Sequence, residues 1–85
     1  MHNYRLILSN KAEKQLDKLS DKIAEPIIDA LENLKTNPRP NGYIKLKGKN
    51  SYRIRIGNYR VVYDIFDGEL VIEIITLGHR KDIYD

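Results

Sequence analysis

Arg53, Arg55 and Arg60 are the side chains in this sequence best equipped for chemistry. Guanidiniums set this close can hold developing negative charge without giving up their own protons. They close a stretch, residues 33–63, that contains Lys35, Arg39, Lys45, Lys47, Lys49, Arg53, Arg55 and Arg60 and not one acidic residue. The segment before it holds 5 basic and 6 acidic side chains, and the segment after it 2 basic and 6 acidic. A net charge of +3 therefore conceals a strongly positive middle, the pattern of a surface for a polyanion. Charge alone leaves RNA, DNA and an acidic protein open as the partner. Lys45, Lys47 and Lys49 suit phosphate contacts, which position a nucleic acid without reading its sequence. His79 is of the residue type suited to moving protons near neutral pH. The absence of Cys excludes thiol catalysis, disulfides and Cys metal sites. His2 and His79 are far apart, without clustered carboxylates beside them, so neither a metal site nor a cofactor is expected.

These residues need elements to position them. Tyr4 to Leu8 reads as a strand. Asn10 and Glu13 have the spacing of a helix capping box, and Ala12, Leu16 and Leu19 follow at helical intervals. Ser20-Asp21 restarts a second helix with Ile23, Ile27, Ala30, Leu31 and Leu34 on one stripe. It should stop near Lys35, with Asn37 as a left-handed cap and Pro38 barring continuation. Pro26 lies beyond the first turn where proline is tolerated, which predicts either a later start or a distorted first turn. After Gly42 the period becomes alternating, and Tyr52–Ile56, Tyr59–Phe66 and Leu70–Leu77 read as strands joined by Gly57-Asn58 and Asp67-Gly68 hairpins. The order predicts an α+β fold in one domain, residues 1–85: β-α-α followed by three or four strands. Its sheet is mainly antiparallel, with the helical hairpin on one face. A domain this small buries roughly 60% of its unfolded surface, so a partner can add much of its stability. No apolar run approaches the ~20 residues of a membrane span, and the leading one is too short for a signal peptide, so a soluble cytoplasmic protein is expected.

Two-residue hairpins fix which residues face one another. Through Gly57-Asn58, Ile56 opposes Tyr59, Arg55 opposes Arg60 and Ile54 opposes Val61. Through Asp67-Gly68, Tyr63 opposes Ile72, Val61 opposes Ile74 and Arg60 opposes Ile75. One face then gathers Tyr52, Ile54, Ile56, Tyr59, Val61, Tyr63, Ile65, Leu70, Ile72 and Ile74 as the core. The other carries Arg53, Arg55 and Arg60 among Val62, Val71 and Ile75, with Glu73 near Arg53. Like charges directly opposite destabilise a sheet, so the Arg55–Arg60 pair suggests an anion to be placed there.

The run Tyr52-Arg-Ile-Arg-Ile-Gly-Asn-Tyr-Arg-Val-Val-Tyr63 leads to Asp67-Gly68 and to Leu77-Gly78-His79-Arg80-Lys81-Asp82-Ile83-Tyr84. With the leading strand and helices, it resembles the RelE branch of the RelE/ParE toxin superfamily over essentially the whole chain. The resemblance implies a toxin of a type II toxin–antitoxin system that enters the ribosomal A site and cuts mRNA there. In that reaction a 2′-hydroxyl attacks the adjacent phosphate, without metal or cofactor. It implies Arg53, Arg55, Arg60 and Arg80 as charge-stabilising residues and Tyr84 as the residue orienting or activating the 2′-hydroxyl; His79, by its residue type, is a further candidate proton carrier. Arginine stands at 53 and 55 where the family often has lysine, and arginine is a poor proton carrier. The sequence also lacks, after Tyr84, the extra helix of some relatives. The partners implied are a ribosome with its mRNA and an acidic, partly disordered antitoxin, in a higher-order heteromer. A ParE-type toxin that acts by binding DNA gyrase, and a binding module whose arginines serve only the antitoxin, are the competing expectations.

Overall fold

The computed structural model describes residues 3–48 and 50–81, so His2, Lys49 and Tyr84 lie outside the described residues. Along the chain run β1 (Arg5–Leu8), α1 (Asn10–Asp17), α2 (Asp21–Leu34), β2 (Ile44–Lys45), β3 (Ser51–Ile56), β4 (Tyr59–Phe66) and β5 (Val71–His79). The strands form one sheet in the order β1-β5-β4-β3-β2. β1 joins β5 in parallel, and the other three pairings are antiparallel. The expected α+β architecture is what forms, with the two-residue β2 as the fourth strand of the second half.

The helices start and stop by local chemistry that differs in detail from the spacing argument. Ser9, not Asn10, caps α1, its hydroxyl accepting from the Ala12 N–H at 3.0 Å. Ser9 is also fixed from the sheet side, where its hydroxyl donates to the Ile75 carbonyl at 2.7 Å. A cap that serves both a helix and a strand outcompetes one that serves a helix alone. α2 begins at Asp21 and runs through Pro26 without interruption. It ends at Leu34 with Lys35 in a right-handed conformation, and Asn37 is not left-handed. Instead the N–H groups of Thr36 and Asn37 both reach the Asn33 carbonyl.

α2 turns Ala24, Ile27, Leu31 and Leu34 inward. Ile27, Leu31 and Leu34 meet Tyr52, Ile54, Val61, Tyr63, Ile65, Ile72, Ile74 and Leu77 from the sheet, and Ala12 from α1. Each large aliphatic side chain so buried contributes about 1.5–3 kcal/mol. The strand-face expectation holds for β3 and β4, but two members change. Leu70 falls in the turn, at a φ of 54°, and Leu77 takes a core position.

Both changes come from the β4–β5 connection. Asp67-Gly68 does not make a two-residue hairpin. Phe66 pairs with Val71, so four residues form the turn, and Tyr63 pairs with Ile74 instead of Ile72. A bulge then intervenes: Val62 pairs with Thr76, Val61 with Leu77, Arg60 with Gly78 and Tyr59 with His79. Ile75 is the additional residue. A single extra residue reverses which face every later side chain takes.

Candidate nucleic-acid interface

The Gly57-Asn58 hairpin closes as expected, with Ile56 opposite Tyr59 and Arg55 opposite Arg60. Gly57 has a φ of 59°, the left-handed first position that this tight turn demands and that glycine takes without cost. Two cross-strand rows result on the face opposite the core. One is Arg53–Val62–Thr76 and the next is Arg55–Arg60–Gly78. Neither row contains an acidic residue. Glu73, expected beside Arg53, is displaced by the register and pairs with Asp64. Asp64 in turn accepts the Ser51 hydroxyl, so the carboxylates occupy the separate row next to that of Arg53. Gly78 adds no side chain beside Arg60.

Arg55 is exposed and Arg53 and Arg60 are half-buried. Burial, then the charges of Arg60 and Arg55, press the Arg53 guanidinium below the usual arginine range. It remains a cation at neutral pH. Val62, buried between Arg53 and Thr76, gives the face an apolar floor.

The remaining candidates distribute unevenly. His79 shares the helix face with Tyr59, its ring edge-on at 5.5 Å and 78°. It lines a groove of about 480 Å³ with Ile23, Pro26, Ile27, Ile56 and Tyr59. The sheet thus separates it from the arginine rows. Arg80 is exposed, and its N–H donates to the Asn58 carbonyl at 2.8 Å, which holds its backbone beside the hairpin tip. Lys45 pairs with Tyr52 on the helix side of the sheet edge, while its neighbour Ile44 pairs with Arg53. Lys47 lies in the exposed turn that follows.

Sequence reasoning missed Thr76 and Gly78 as neighbours of the arginines, because no residue pattern announces the bulge. It also missed the role of Arg39. That guanidinium donates to Asp67 at 3.0 Å and to the Tyr52 hydroxyl at 3.2 Å, and lies 5.1 Å over the Tyr52 ring. Tyr4 donates to the other Asp67 oxygen at 2.6 Å. Arg39 is thereby a structural cation, despite belonging to the basic stretch.

Comparison with known proteins gives a consistent picture. Residues 6–84 match the family model described as the ParE toxin of the type II toxin–antitoxin system parDE. The chain is 32% identical over 85 residues to Toxin RelE of Mycobacterium tuberculosis, an alignment spanning 98% of this chain and 88% of that protein. Among solved structures, the archaeal RelE–RelB complex of Pyrococcus horikoshii superposes with a TM-score of 0.83 at 29% identity, over 95% of this chain and 99% of that one. The Escherichia coli RelBE toxin–antitoxin complex superposes with a TM-score of 0.79 at 29% identity, over 89% and 95% respectively.

Proposed function

For a chain that belongs to the RelE/ParE family of type II toxin–antitoxin toxins, we propose ribosome-dependent cleavage of mRNA on the arginine face. The observation that carries the reading is the pair of carboxylate-free rows Arg53–Val62–Thr76 and Arg55–Arg60–Gly78. In the proposed reaction the 2′-oxygen bonds to the adjacent phosphorus and the bond to the 5′-oxygen breaks. The products are a 2′,3′-cyclic phosphate and a free 5′-hydroxyl. The five-coordinate phosphorus concentrates negative charge on its oxygens, and Arg53, Arg55 and Arg60 are arranged to share it. Arg80 enters from the end of β5.

Arginines hold charge but do not carry protons at neutral pH. The proton leaving the 2′-hydroxyl and the one reaching the 5′-oxygen therefore need other groups. His79 is on the opposite face. Tyr84, which the family motif assigns to the 2′-hydroxyl, is the remaining candidate, although it lies outside the described residues. A site with cations but no strong base depends on an external scaffold to align its substrate, and the ribosome supplies that scaffold. Lys45 and Lys47 serve as phosphate contacts to ribosomal RNA. An acidic antitoxin that folds onto the toxin neutralises the same arginines, in keeping with the RelB partners of the structural relatives.

The test is inducible expression of Arg53→Ala and Arg60→Ala beside the parent. Loss of one such cation should lower the cleavage rate about 10²- to 10³-fold and relieve growth arrest. Persistent toxicity in both variants, with weakened antitoxin binding, would show that the arginines serve the antitoxin and that the toxin acts by binding alone, as a gyrase inhibitor does.

A further inference from the structure

We propose that Tyr43 is a stacking platform for an unpaired base of ribosomal RNA, on the side of the sheet opposite the arginines. The inference rests on the ribosomal reading above and names a second contact within it.

Tyr43 is 41% exposed, yet its position is fixed. Its N–H donates to the Pro40 carbonyl at 3.0 Å, and its ring lies 5.9 Å from the Tyr52 ring at an angle of 50°. Tyr52 is itself immobilised: it stacks on buried Tyr63 at 5.9 Å and 28°, beneath the Arg39 guanidinium. Arg39 is in turn held by Asp67. A series of fixed rings thus runs outward from the core and ends in an exposed one. An aromatic held in place before its ligand arrives loses little entropy when a base stacks on it.

The charges around it fit the same ligand. Lys45 follows two residues later on the same side of the sheet edge, opposite Tyr52, and Lys47 lies in the adjoining turn. The surrounding sequence, residues 33–63, carries no carboxylate, and Asp67 is occupied by Arg39 and Tyr4. An acidic peptide would use the lysines and could set a proline or apolar side chain on the exposed π face, whereas a nucleic acid meets both features with one repeating unit. Every nucleic-acid base has a π face, with a phosphate alongside for the lysine. The location selects the strand. Tyr43, Lys45 and Tyr52 are across the sheet from Arg53 and Arg55, so the message under cleavage cannot lie on both sides within a nucleotide or two. The stacked base therefore belongs to ribosomal RNA.

The experiment measures binding of the full-length toxin to vacant small ribosomal subunits over a range of salt concentrations. Tyr43→Ala and Tyr43→Leu should each weaken binding about tenfold or more, as expected for one lost base stack, while the slope against log salt stays unchanged. Tyr43→Phe and Tyr43→Trp should bind as the parent does. Lys45→Ala should instead reduce the slope by about 0.7. Thermal melts of each variant establish that it is folded. Parent-like binding by both Ala and Leu variants overturns the proposal. So does parent-like binding by Leu alone, which would make Tyr43 an apolar cover for Tyr52. A loss confined to a free single-stranded message oligonucleotide would assign the base to the message, contradicting the proposal. If the parent itself does not bind subunits, the ribosomal reading falls and this inference falls with it.

Discussion

Arg55 and Arg60 face each other directly across β3 and β4, a pairing that costs the sheet up to about 1 kcal/mol. If that cost is retained for function, relieving it should separate stability from activity. Arg55→Thr should raise the melting temperature by about 4 °C while cleavage falls, measured by thermal melts and by cutting of a translated message. This pair is legible in the sequence, because a two-residue turn beginning with glycine leaves only one register for its neighbours. The position of His79 is not. With Arg60 opposite Ile75, an unbulged β5 would carry His79 to the arginine face. The extra residue at Ile75 reverses that parity and puts His79 against Tyr59 instead. His79→Gln should therefore leave the cleavage rate and its pH profile near those of the parent. A lost acidic or basic limb in that profile would show that the imidazole reaches the reaction after all.

At the scale of elements, Asp67 ties the start of β1, the loop after α2 and the β4–β5 turn together through Tyr4 and Arg39. Hydrogen bonds from Arg39 and then Tyr4 hold its carboxyl below the usual carboxylate range. The bond to Asp67, followed by partial desolvation, raises the Tyr4 phenol. The carboxylate contribution is therefore present above the ordinary carboxyl range and lost as the pH falls through the lowered folded value. The phenol contribution is present below the ordinary phenol range and lost as the pH rises through the raised one. Asp67→Asn should flatten the pH dependence of the melting temperature at both ends, a result checked by melts across the pH range. Asp67-Gly68 is readable as a turn, but its length is not. The sequence signal identifies where a chain reverses. Leu70 adopts left-handed geometry there because Arg5 donates to its carbonyl and ties the turn to β1, a contact set by tertiary structure. Ser9 likewise caps α1 because β5 is beside it.

Across the whole molecule, the sheet divides the work. Its helix face buries the core and carries the groove beside His79, while the other face gathers the arginines in two rows with the Asp64–Glu73 row next to them. The charge asymmetry of residues 33–63 is plain from the order of the residues. Its resolution into separate roles is not: Arg39 is structural, Lys45 is on the helix side, and only Arg53, Arg55 and Arg60 share the rows. Among the described residues the arginine face is rich in cations and poor in proton carriers, which is why the proposed cleavage requires a ribosome to align the message. Primer extension on one message, induced in translated form and in a form with its initiation signals removed, tests that requirement directly. Ribosome-dependent cleavage predicts cuts within the translated message and none in its untranslated counterpart. Equal cutting of both would show an autonomous ribonuclease, and growth arrest without cuts in either would show that the toxin does not cleave mRNA.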